Sequence, residues 1–130
     1  MKQSMFQEKY PVFTLELGKD ETTLSSVDDI ISYFKARIDE NDDAIYIAVF
    51  DHYAHTSALP EGEIAPEIID AKNLIFCFGV KIPTPTVLAV RPRSIGIIEL
   101  ADKFIITFME APMPRANNAM ESWAKALKNK

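Results

Sequence analysis

Apolar and polar residues alternate with a period of two in several short stretches of this 130-residue chain, and recur at helical spacing in two others. Phe13, Leu15 and Leu17 alternate with Val12, Thr14 and Glu16, which predicts a first strand over 12–17. Gly18-Lys19-Asp20 turns the chain. Val27, Ile30, Ile31, Phe34 and Ile38 then stand three and four residues apart, the spacing of one buried helix face, so a helix is expected from about Ser26 to Ile38. Ser25 or Ser26 can cap its first amides, and Asp28 and Asp29 suit its positive end. The acidic run 39–43 ends it in solvent.

The most strand-like run is Ala44-Ile45-Tyr46-Ile47-Ala48-Val49-Phe50, apolar on both of its sides. Residues 55–70 read as a loop, because Pro60, Gly62 and Pro66 break any regular period and Glu61, Glu63 and Glu67 hold it in water. Further strands are expected at 73–78, 86–90, 94–100 and 103–109, with Pro83 and Pro85 confining 81–86 to an edge or a turn. Pro112 and Pro114 form a stiff corner. A closing helix from about Asn117 or Asn118 carries Met120, Trp123, Ala124 and Leu127 on one face. The order is β-α-β-β-β-β-β-α. Runs of strands between two helices indicate a single two-layer α+β domain over 1–130, with an antiparallel or mixed sheet of about five strands and both helices packed on one face. Two helices leave the second apolar side of the 44–50 strand uncovered, so a homodimer through the sheet or its edge is expected.

Composition narrows this little. An apolar content of 48% and a charged content of 25% are those of an ordinary globular chain. The single cysteine, Cys77, excludes an intrachain disulfide and fits a reducing compartment. No apolar stretch approaches the roughly 20 residues that span a bilayer, and the first residues lack the apolar core of a signal peptide, so a cytoplasmic protein with no membrane partner is expected. Charge changes the picture more. Residues 1–71 hold five Lys and Arg against fifteen Asp and Glu, whereas 72–130 hold nine against four. A net charge of −5 argues against nucleic acid, and the two halves are expected to offset one another on packing.

Candidate chemistry gathers in two places. The only histidines, His52 and His55, follow the 44–50 strand in Asp51-His52-Tyr53-Ala54-His55-Thr56. Two imidazoles can share a Zn²⁺ or Fe ion, with Asp51, Cys77 or a loop glutamate completing the set, but on a strand residues three apart point to opposite faces. On a helical turn they would converge. Cys77, between Phe76 and Phe78, reads as a small buried hydrophobe. The second place is Val90-Arg91-Pro92-Arg93-Ser94. Arginines held stiffly by a proline beside a hydroxyl suit a carboxylate or phosphate, the competing expectation being ion pairs with the acidic half; as strand residues Arg91 and Arg93 would share a side.

No glycine-rich phosphate loop, Gly-x-Ser-x-Gly or His-Glu-x-x-His run is present. The reading is therefore a small ligand- or protein-binding module, non-catalytic, with Asp51, His52, Tyr53, His55, Arg91, Arg93 and Ser94 as its candidate ligand-binding residues and a small anion as a candidate ligand. The loop 55–70 would serve as a lid or docking segment. The alternative is a metal-binding protein or metal-dependent enzyme using His52 and His55. No cofactor is implied by any motif.

Overall fold

Phe13, Leu15 and Leu17 do face a core, joined there by Leu74, Phe76, Phe78, Ile95, Ile97, Phe104, Ile106 and Phe108. The computed structural model describes residues 1–130. Its strands are β1 (Lys2–Phe6), β2 (Tyr10–Gly18), β3 (Ala44–Phe50), β4 (Asp70–Phe78), β5 (Arg93–Glu99) and β6 (Lys103–Met109). Its helices are α1 (Val27–Asp39), α2 (His52–Ser57) and α3 (Pro114–Lys125), with single 3₁₀ turns at Lys19–Glu21 and Pro85–Ala89. All six strands form one antiparallel sheet in the order β1-β2-β6-β5-β4-β3. From β2 the chain crosses the whole sheet through α1 to the far edge, then returns as the meander β3-β4-β5-β6 until β6 pairs with β2. The fold is α+β in two layers.

The expected stripe of α1 is the buried one: Val27, Ile30, Ile31, Phe34 and Ile38 all lie in the core. Ser26 caps the helix by accepting from the Asp29 amide. α3 adds Ala116, Met120 and Ala124, and Leu127 follows just beyond it. These meet Leu74, Phe76, Ile95, Ile97, Phe104 and Ile106 from the sheet. The Tyr33 hydroxyl donates to the Trp123 carbonyl at 2.7 Å, which ties α1 to α3 over the same face. Trp123 in turn stands edge-on to Phe76, with ring centres 6.0 Å apart.

Four elements differ from expectation. β1 is an added strand, closed onto β2 by a tight turn in which Gln7 and Glu8 have φ of 51° and 62°. Such turns favour Asn-Gly, so Gln-Glu carried no turn signal. Residues 52–57 are helical, capped by the Asp51 carboxylate on the Ala54 amide. The strand expected at 86–90 is a 3₁₀ turn, because Pro85 presets its first dihedral and no neighbour offers a ladder. α3 starts at Pro114 rather than near Asn117, since a proline is well placed in a first helical turn. In addition β3 is an edge strand with a bulge between Tyr46 and Ala48, so its apolar residues are less covered than those of a central strand.

The charge polarity of the chain is resolved by packing. Lys72 pairs with Asp28 and Asp51, Lys103 with Glu16, Arg115 with Asp43 and Lys128 with Glu21, so bases of the second half meet acids of the first.

Two measurements check these assignments. Replacing Gln7-Glu8 with Asn-Gly should raise stability to urea by roughly 0.5–2 kcal/mol, since the new pair adopts positive φ without strain. The second concerns Asp29, whose carboxylate accepts from the Ser25 amide and hydroxyl at 3.1 and 2.9 Å. These bonds, the backbone one foremost, hold its carboxyl below the ordinary value of 3.8. A carboxyl lowered by folding stabilises the native state above its unfolded pKa and loses that contribution as pH falls through the folded one. Asp29→Asn should therefore flatten the fall in melting temperature below pH 3.8, as scanning calorimetry would record.

Candidate functional site

The register of β3 on β4 sets Phe50 opposite Asn73, on the face turned away from Leu74 and Phe76. α2 follows directly from Phe50 and so folds over that same face, opposite α1 and α3. Because 52–57 is helical, one turn separates the two histidines and their rings do converge. Their centres are 6.5 Å apart, and each ring packs against Phe50 at 5.0 and 5.1 Å. His52 Nδ1 lies 3.0 Å from Asn73 Oδ1, and Asn73 Nδ2 donates to Ser94 Oγ at 3.0 Å. Asn73 was not legible as a site residue, since only the strand register brings it beside both.

This cluster has limited chemistry. Asp51 is committed to its helix cap and stands 3.9 Å from Lys72. No group of three His, Cys, Asp or Glu side chains stands close enough together to hold a metal ion. Tyr53 lines a cavity of about 240 Å³ between α2 and the loop, together with His52, Thr56, Ile64 and Ile68. Ser94 meets an amide, which cannot take its proton as a base would. The amide orientation that gives Ser94 its donor turns Oδ1 to the ring, so neutral His52 carries its proton on Nδ1 and keeps a lone pair on Nε2.

The arginines part company with Ser94. Ser94 points to the α2 face, whereas Arg93, opposite Phe76, points to the face of α1 and α3. Arg91 lies outside the strand, and its Nη1 donates to the Lys81 carbonyl at 2.5 Å. Gly79 makes room for it: a Cβ there would stand 2.5 Å from Arg91 Nη2, and its φ of +108° also suits glycine. Arg93 donates to the carbonyls of Val90 and Met109 at 3.3 and 2.5 Å. Its Nε is buried and has no partner. Partial burial pulls the guanidinium below its ordinary value.

Both arginines line one cavity of about 270 Å³ beneath the proline-rich segment. Its other walls are apolar: Phe78, Pro83, Val87, Val90, Ala111, Pro112, Met113 and Ala116. Neither arginine has a carboxylate within ion-pair distance, although the acidic residues engage Lys72, Lys103, Arg115 and Lys128. The expected pairing of Arg91 and Arg93 with the acidic half is thus replaced by bonds to backbone carbonyls. Arg115 alone of the three follows it, with Asp43.

A wider groove of about 410 Å³ crosses the α2 face of the sheet. Asn73, Ser94, Gly96 and Thr107 form its floor, Val12 and Met109 lie beside them, and Ala89, Val90, Pro92 and Arg93 wall the end that it shares with the arginine-lined cavity. Gly96 keeps the floor flat, because a Cβ would stand 3.3 Å from Thr107 Cγ2.

These features define a two-layer α+β protein with an arginine-lined apolar cavity on one side of its sheet and a bare groove on the other. The chain belongs to the Family of unknown function (DUF6858), which it matches over residues 1–129. No curated protein and no solved structure matches it. No helix is long and apolar enough to cross a membrane.

The state of His52 is open to direct measurement. Long-range ¹H–¹⁵N spectra of the neutral ring, taken at alkaline pH, should show the Nδ1–H tautomer for His52, and Asn73→Ala should let the ring revert to a mixture. An Nε2–H tautomer in the wild-type protein would mean the amide is turned the other way.

Proposed function

We propose that this protein is a non-catalytic binding module that takes a small anion with a short apolar body into the cavity beneath the proline-rich segment. The supporting observation is that Arg91 and Arg93 line an otherwise apolar cavity with no carboxylate partner. Positive charge partly withdrawn from water and left without a counter-charge carries a cost, and an entering carboxylate or phosphate would relieve it. Arg93 already holds two backbone carbonyls, so its fork is fixed in direction before any ligand arrives, which lowers the entropy lost on binding. Apolar walls then select the body of the ligand. At about 270 Å³ the cavity lies at the lower end of ligand sites, which limits the guest to a few carbons or a single ring.

The non-catalytic part rests on the absence of an assembled set, since Ser94 and His52 are separated by an amide. The metal-binding alternative keeps His52 and His55 as two converging ligands and lacks a third. A cytoplasmic site of action belongs to the same proposal, supported by a lone cysteine that requires no oxidising compartment.

Titration calorimetry and ¹H–¹⁵N spectra with hexanoate, benzoate and inorganic phosphate test the proposal. Hexanoate or benzoate should shift the resonances of Val87, Arg93 and Ala116. Arg93→Ala should weaken binding by roughly 1.5–3 kcal/mol, about ten- to a hundredfold, for the charged hydrogen bond removed. Ala116→Leu, which fills the cavity without touching a charge, should abolish it. Unshifted resonances at millimolar anion, or equal affinity in Arg93→Ala, would dismiss the anion site.

A further inference from the structure

The face of the sheet opposite α1 and α3 is covered only where α2 and the loop residues Ile64 and Ile68 meet Ala71 and, at one end, beside Ala89, Val90 and Pro92, and its chemistry is not that of a wet surface. From β3 to β1 it presents Ile45, Ala48 and Phe50, then Ile75 and Cys77, Ile98, Ile105 and Met109, and Val12. Ile45 is 67% exposed and Met109 48%. A solvated antiparallel face normally alternates to polar and charged residues. Here the strands contribute three charges, Lys2, Glu16 and Lys103, all toward the β1–β2–β6 side, with Lys103 and Glu16 paired at 3.0 Å.

Several polar side chains of this face pair with one another. His52 meets Asn73, and Asn73 donates to Ser94. The Thr107 hydroxyl donates to the Phe13 carbonyl at 3.0 Å and lies 3.3 Å from that of Thr14. A groove meant for a polar ligand would keep its donors free. A surface that is to lose its water must pair its polar groups first, because each one buried alone costs about 1–3 kcal/mol. The middle of this face, from Asn73 to Thr107 and Thr14, is already paired in this way.

We infer that a second copy of this chain covers it, in a face-to-face dimer of sheets. Size and charge favour that occupant. Six strands about 4.8 Å apart and about seven residues long span roughly 24 by 24 Å, or on the order of 600 Å² before side-chain relief, close to the roughly 800 Å² per partner of a standard interface. The net charge of −5 would set two copies apart, but the excess acid lies elsewhere on the molecule and leaves this face nearly neutral. The flat floor at Gly96 and the row of small side chains beside it let two sheets approach to the usual distance of about 10 Å. The dimer face and the anion cavity lie on opposite sides of the sheet and share only Val90 and Arg93 at its end, and the substitutions that test the dimer avoid both residues.

Sedimentation velocity of the full chain from micromolar to submillimolar concentration decides it. The wild type should sediment as a dimer of the 14.6 kDa chain. Ile105→Lys places a charge on β6, away from both sheet edges and beside Glu16 in register, and should weaken association by roughly a hundredfold with an unchanged circular dichroism spectrum. Alkylation of Cys77, which sits on the same face, should slow with rising concentration in the wild type and not in the variant. If Ile105→Lys does not fold, the double variant Ile45→Lys/Met109→Lys at exposed positions serves in its place. A monomeric wild type overturns the inference, and so does a dimer that survives these substitutions, since it would then form through the β3 edge or another surface.

Discussion

Everything in this molecule follows from one sheet face being buried and the other not. α1 and α3 can cover one side of six strands, and the tie from Tyr33 to the Trp123 carbonyl locks them there as a single layer. Phe34, Phe76, Phe104 and Met120 are fully withdrawn from water between the two layers. Apolar burial of this kind, at roughly 25 cal/mol per Å², is what offsets the ordering of the chain. No third layer is available from the same chain, because α2 is six residues long and reaches only one corner.

Electrostatics works in the same two-sided way. The acidic first half and basic second half meet across the fold, through Lys72–Asp28, Lys103–Glu16, Arg115–Asp43 and Lys128–Glu21. Most of these pairs are exposed and contribute about 0–1 kcal/mol each, so they settle charge balance more than stability. Arg91 and Arg93 are the exception that matters. They turn to backbone carbonyls beneath the proline-rich segment, and their charge is left facing an apolar cavity. Across the sheet the reverse holds: polar groups without charge bond to one another on a face of isoleucines. The cavity holds both arginines, whereas the groove opposite meets only Arg93, at its end.

Much of the layer structure was legible in the residues alone. The stripe Val27–Ile38 determined α1 and its buried face, period-two alternation determined β2, and apolar runs bounded by turn residues determined β4, β5 and β6. The Ser26 cap and the closing helix stripe through Met120 and Ala124 were equally plain. These are local signals, set by side-chain spacing and the dihedral preferences of a few residues. The surplus of apolar residues over what two helices can cover was legible for the same reason.

Tertiary structure decided the rest. Gln7-Glu8 holds positive φ only because β1 is pinned on β2, and nothing in those two residues announces a turn. The helix after Asp51 is too short to show a period. Once formed, it brings His52 to Asn73 across 21 positions of sequence. Arg93 and Ser94 are neighbours in the chain, yet a strand sends adjacent side chains to opposite faces, and only the sheet's cover gives those faces different chemistry. Sequence determined which residues are apolar, charged or stiff; register and layering decided which of them meet.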